Sequence, residues 1–141
     1  MFAAAMLAAQ IVLSPRTVDG VSGPTHCGSY RVWENRDAKR GRQIDLSIIV
    51  LDALSIPRKP DPLFLLAGGP GDAPSFNASF FSRVFANVRQ TRDLVLVDLR
   101  GSGKSNALTC PELGQPNAEG FLDENILSVS AVKSCLRVRD V

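Results

Sequence analysis

The chain has a single histidine, His26, a single tryptophan, Trp33, and a single tyrosine, Tyr30. So few aromatic faces leave no platform on which nucleic-acid bases could stack. Sixteen Lys and Arg are interspersed with fourteen Asp and Glu, for a net charge of +2. That mixture forms neither a basic stripe nor an acidic tail, and no nucleic-acid partner is predicted. The three cysteines, Cys27, Cys110 and Cys135, show no C-x-x-C spacing. One histidine cannot complete a zinc site with them, so no metal is predicted. His26 beside Cys27 could suggest a thiol and its base, but chain neighbours rarely reach each other, and His26 reads as a surface residue. Internal repeats, heptads and a G-x-S-x-G motif are all missing.

Long apolar runs are also scarce. The only one is "MFAAAMLAAQIVLSP", apolar from Phe2 to Leu13. It has about the length of a signal-peptide core and is short for a membrane span. Residues 1–24 are therefore expected to be an export signal and linker, with no stable membrane insertion once the leader is removed. Small residues suited to cleavage occur at Ala8-Ala9 and near Val21-Ser22-Gly23, and the sequence does not choose between them. An Ala-rich buried helix is the alternative reading. Cys27 follows Pro24-Thr25-His26 and lacks the small apolar residues of a lipid-anchor site. In an exported chain disulfides are the natural use of cysteine, and Cys110 with Cys135 bracket one loop-rich segment. Cys27 is then free or paired elsewhere.

What is present reads as an α/β chain. "CGSYRVWENRDAKRGRQIDLSIIVLDAL" predicts two strands joined by a charged turn at Asn35 to Gly41, with Ile44, Leu46, Ile48 and Val50 on one face of the second strand. After a proline-rich break, "LFLLAGGPG" predicts a strand buried on both faces and ending in glycines. "SFNASFFSRVFANVRQ" places Phe76, Phe80, Phe81, Val84 and Val88 at helical spacing behind Ser75 as N-cap. "RDLVLVDLRG" predicts a second buried strand, which makes a βαβ unit and a mostly parallel sheet. Residues 106–123 read as loop, and Val129, Val132 and Leu136 have helical spacing. The parallel strands are too few for a finished α/β domain, so the chain is expected to be truncated.

Two glycine turns carry the chemistry. At Ala67-Gly68-Gly69-Pro70-Gly71 backbone amides leave the first parallel strand toward a helix, where an oxyanion could be held. At Gly101-Ser102-Gly103-Lys104-Ser105 the letters suggest a phosphate loop. The first glycine of that motif, however, would fall on Asp98, whose carboxylate opposes a phosphate.

In order and context, Gly68-Gly69-Pro70-Gly71 followed by Asp98-Leu99-Arg100-Gly101-Ser102-Gly103-Lys104-Ser105 resembles the signatures of α/β-hydrolase fold serine peptidases related to prolyl aminopeptidase and to exported tripeptidyl aminopeptidases. The resemblance runs from about Cys27 to Glu112. It implies that residues 25–141 are the N-terminal part of an α/β-hydrolase domain, a leading β-hairpin followed by βαβ, cut before the nucleophile. It further implies a serine hydrolase acting on a peptide or small acyl substrate, with no cofactor. Gly69 would supply an oxyanion amide, and Gly68 and Gly71 would set the turn. Asp98, Arg100, Gly101, Gly103 and Ser105 would brace the loop beside the site. Ala67, Asp72, Leu99 and Trp33 depart from the residues common in the family and leave the substrate open. Without nucleophile, acid and base, the segment is expected to be inactive alone. A non-catalytic binding domain on the same scaffold is the second reading, and a phosphate-loop protein the third. The Asn77-Ala78-Ser79 triplet is given no function.

Overall fold

The chain is described as a computed structural model covering residues 11–69, 71–109 and 129–139. It divides into two units, Met1–Ala107 and Leu108–Val141.

Alternating apolar and polar residues build the predicted hairpin. Strands β2 (Thr25–Trp33) and β3 (Gln43–Leu51) run antiparallel, with Thr25 opposite Leu51 and Trp33 opposite Gln43. Asn35 organises the turn: its Oδ1 accepts the N–H groups of Asp37 and Ala38 at 3.0 and 2.9 Å, an Asx turn that stands in for backbone pairing. Arg31 and Asp45, directly opposite in register, form an ion pair at 2.8 Å, and Arg42 pairs with Glu34.

Strand β1 (Val12–Pro15) lies beside β2, antiparallel to it. Beyond β3 come β5 (Leu94–Val97) and then β4 (Leu63–Leu65), so the sheet order is β1-β2-β3-β5-β4. The predicted βαβ unit is present, with β4 and β5 parallel. The sheet as a whole is nevertheless mixed. A single crossover makes a single parallel pair, whereas β1 against β2, β2 against β3 and β3 against β5 are antiparallel. The expectation of a mostly parallel sheet is corrected on this point for the described residues.

Register decides which side chains share the core. Ile49 faces Leu96, Leu51 faces Leu94, and Leu63 and Leu65 pair with the same two β5 residues, so all six lie on one side of the sheet. Ile49, Leu51, Leu65, Leu94 and Leu96 are buried there with Ala78, and Val18, Val21, Cys27, Leu63, Phe81, Phe85 and Val88 pack against them. Leu51 and Leu94 are fully enclosed; truncating either to alanine would cost about 2–5 kcal/mol. Strand β4 is not buried on both faces, because Phe64 on its other side is 61% exposed.

The segment between β4 and β5 is a 3-10 turn (Pro74–Asn77) followed by two short helices, α1 (Ala78–Val84) and α2 (Ala86–Arg89). The chain bends at Phe85, whose φ of −100° and ψ of 24° leave the helical basin. The stripe packed on the core is Phe81, Phe85 and Val88, each partly buried, whereas Phe76, Phe80 and Val84 are exposed. Apolar residues occupy both sides of this stretch, so spacing alone fits either stripe. Ser75 does not cap the helix, since its hydroxyl bonds elsewhere.

The expected linker is part of the fold. Residues 12–15 form a strand, and Val18 and Val21 pack on the core. In the second unit the predicted helix exists as α3 (Val129–Arg139), with Cys135 buried and Val129 and Leu136 exposed. Cys135 is in a disulfide and Cys27 is a free thiol. Cys110, the expected partner, and residues 1–10 of the expected leader lie outside the described residues.

Candidate functional site

The two glycine loops leave the ends of β4 and β5, neighbouring parallel strands, and one buried carboxylate joins them. Asp98 directly follows β5 and is 1% exposed. Its Oδ1 accepts the Ser75 N–H at 3.0 Å, and its Oδ2 accepts the Ser75 hydroxyl at 2.8 Å and the Lys104 N–H at 3.0 Å. Ionised carboxylates are acceptors only, and three donors from two loops satisfy most of what Asp98 can accept. A carboxylate buried in this way costs little when it is so fully bonded and much when it is not.

The rest of the second loop folds around this anchor. The Ser105 hydroxyl donates to the Asp98 carbonyl at 2.8 Å and accepts the Ser47 N–H of β3 at 2.8 Å. The Gly101, Ser102 and Ser105 N–H groups donate to the carbonyls of Ser105, Leu99 and Ser102. Gly103 has φ +51°, and a Cβ there would lie 2.3 Å from Asp98 Oδ2 and 2.6 Å from the Ala73 Cβ. Only glycine leaves room for Asp98 to reach across. Arg100 ties the loop to the hairpin, donating from Nη1 to the carbonyls of Trp33 and Glu34 at 2.9 and 2.7 Å.

These bonds exclude a phosphate loop on physical grounds. A phosphate cradle needs free inward amides and a helix behind them. Here the Gly101, Ser102, Lys104 and Ser105 amides are already engaged, and turns rather than a helix follow.

The first loop is different. Gly69 and Gly71 have φ +95° and +83°, which favours glycine. Gly68 has no positive φ, and a Cβ there would meet nothing within 4 Å. Among the described residues no acceptor takes the N–H of Gly68, Gly69 or Gly71, while the Gly69 carbonyl accepts the Asp72 N–H at 3.3 Å. The Asp72 carboxylate is turned back onto its own loop, accepting the Ala73 N–H at 2.8 Å and lying 3.4 Å from the Asn77 amide. The loop thus presents exposed, unclaimed amides on a fixed base.

No nucleophile accompanies them among the described residues. The hydroxyls of Ser75, Ser102 and Ser105 donate to Asp98 Oδ2, the Leu99 carbonyl and the Asp98 carbonyl respectively. His26 is distant in role as well: its Nδ1 lies 2.9 Å from Asp52 Oδ2. Strand alternation sends His26 and Cys27 to opposite faces, so they do not form a thiol–base pair. Among the described residues no group of His, Cys, Asp and Glu could hold a metal, and no helix is long and apolar enough to cross a membrane.

Sequence reasoning missed three participants. Ser75 is the tether between the loops, and Asp52 orients His26. Arg89, 2% exposed, donates to the carbonyls of Asp52, Ser22 and Pro24 at 3.0, 2.7 and 3.1 Å and to the Ser82 hydroxyl at 3.0 Å. Burial pushes its guanidinium below the ordinary arginine value, and the nearby charge of Asp52 opposes this. A signal for Arg89 does exist, because it continues the buried Phe81–Phe85 row by four residues.

Compared with known proteins, the chain matches no protein-family model and no curated protein.

Proposed function

We propose that the chain is the N-terminal part of an exported serine hydrolase of prolyl aminopeptidase type, built on an α/β-hydrolase fold, with the Gly69 N–H as one oxyanion donor. The observation that carries this reading is the unclaimed Gly69 amide, held at positive φ on the loop leaving β4, while Asp98 locks the base of that loop to the next one. The antiparallel hairpin beside a parallel pair, and the order of the two glycine loops, are compatible with it.

In the complete enzyme a serine outside the described residues would attack the acyl carbon while a histidine takes its proton. Negative charge would then develop on the former carbonyl oxygen, and two N–H groups would receive it: that of Gly69 and that of the residue after the nucleophile. Collapse would expel the amine, protonated by the histidine, and leave an acyl-enzyme that water hydrolyses. In this scheme the described residues would supply one of the two oxyanion donors and none of the groups that make or break bonds.

In the enzyme that carries this segment, Gly69→Ala keeps the N–H but is strained at φ +95°, so the amide should turn out of line with the oxyanion and kcat should fall by about 10- to 100-fold with a smaller change in KM. Covalent labelling of one serine by a fluorophosphonate should accompany activity. An unlabelled protein whose ligand binding survives Gly69→Ala would point instead to a binding domain on this scaffold.

A further inference from the structure

Export leaves one question that the fold can address, namely how much of the N-terminal segment stays on the mature chain. We infer that residues 12–24 are retained, so that any leader is removed ahead of Val12 and the small residues Val21-Ser22-Gly23 are not the processing site. This rests on the export reading above.

Three sets of contacts carry the inference. Strand β1 pairs with β2 along its whole length, from Val12 opposite Ser29 to Pro15 opposite His26. The partner strand is fitted to it: a Cβ at Gly28 would lie 2.2 Å from the Val12 carbonyl oxygen. The missing side chain is therefore explained by β1 being there. The strap that follows is hydrogen-bonded in turn. The Arg16 N–H donates to the Thr25 carbonyl at 3.0 Å, and the Thr25 hydroxyl donates to the Arg16 carbonyl. Val18 and Val21 are packed against the core.

The third set is electrostatic. Arg89 is buried, and its Nη1 and Nη2 reach the Ser22 and Pro24 carbonyls at 2.7 and 3.1 Å. A cut after Gly23 would remove the first of these acceptors. It would also place a new terminal ammonium on Pro24, the residue whose carbonyl holds Nη2, setting like charges close together. Losing one of four acceptors leaves a buried guanidinium N–H unsatisfied, which is costly. A cut at Ala8-Ala9 would disturb none of these contacts.

The test is N-terminal sequencing and intact mass of the protein produced with its own N-terminus in an exporting bacterial host, with export and retained fractions separated. An exported chain beginning at or before Val12 is expected. A folded exported chain beginning between Ser22 and Pro24 would overturn the inference and leave the export reading standing. A chain retained in the cell with Met1 still in place would overturn the export reading alone, and the inference would then stand or fall on the deletion below. Independently of export, deletion of residues 12–22 from a cytoplasmically produced chain should abolish the resistance to limited proteolysis shown by the undeleted chain. Equal resistance would overturn the inference.

Discussion

Ser75 and Asp98, separated by 23 positions, are bonded twice: the Ser75 N–H and hydroxyl donate to the two carboxylate oxygens at 3.0 and 2.8 Å. This pair makes two glycine loops into one body, since the same carboxylate also holds the Lys104 N–H. Asp98→Ala would leave all three donors without an acceptor in a buried place. A loss of about 3–5 kcal/mol is expected in denaturant unfolding. Asp98→Asn keeps the size but one acceptor oxygen, and should lose about 1–3 kcal/mol.

The glycines of the two loops should respond differently. Gly103→Ala forces a Cβ against Asp98 Oδ2 and Ala73 at a positive φ, and should destabilise by about 2–5 kcal/mol. Gly68→Ala meets open space at an ordinary φ, and should change stability by no more than about 0.5 kcal/mol. A measured order in the reverse sense would show that the second loop is not packed around Asp98.

Arg89 joins α2 to the strap before β2 and to the end of β3. Arg89→Met fills similar space but leaves the Ser22 and Asp52 carbonyls without their Arg89 donor, while the Pro24 carbonyl keeps the Asp52 N–H, and should cost about 2–4 kcal/mol in urea unfolding. Arg89→Lys keeps the charge yet cannot fork to several carbonyls, so it should lie between the two.

The outer ion pairs add a small part to the acid limb of stability. Hydrogen bonds from Arg42, Arg31 and Arg92 hold the carboxyls of Glu34, Asp45 and Asp61 below the usual carboxylate range, with slight burial opposing them. A carboxyl lowered in the folded state contributes stability that is complete above its unfolded value and is lost as pH falls through its folded one. The urea midpoint should therefore be flat from about pH 7 to 5 and drop below that. All three groups are solvent-exposed, so the contribution should be small and weaken with added salt. Arg31→Gln should remove the Asp45 part of the drop.

Much of the fold is legible in the sequence where one period dominates. The Ile44 to Val50 alternation and the glycine-closed turn at Asn35 to Gly41 yield the β2–β3 hairpin, although the core cluster takes Ile49 and Leu51 from the opposite face of β3, and the run-turn-helix-run pattern yields β4, the helices and β5. Legibility fails where two signals coincide. Val12 and Leu13 serve equally as the tail of an apolar leader and as an edge strand, and only pairing with Gly28 across the sheet separates the two. Four phenylalanines between Phe76 and Phe85 put apolar groups on both sides of the helical stretch, so its buried stripe depends on where β5 lies. Arg89 extends the Phe81–Phe85 row, but its acceptors are carbonyls brought from distant segments, which no local pattern shows. The glycine loops were legible as turns, but the free Gly69 amide and the Asp98 lock are products of tertiary structure.

The most direct test of the proposed family is to read the coding sequence in frame past the codon for Val141. The predicted result is a further apolar strand leading into G-x-S-x-G, then an Asp or Glu, then a His, the order that would bring a nucleophile to the Gly69 amide. A stop codon directly after Val141, or a continuation without that order, would contradict the proposal that this segment belongs to a serine hydrolase.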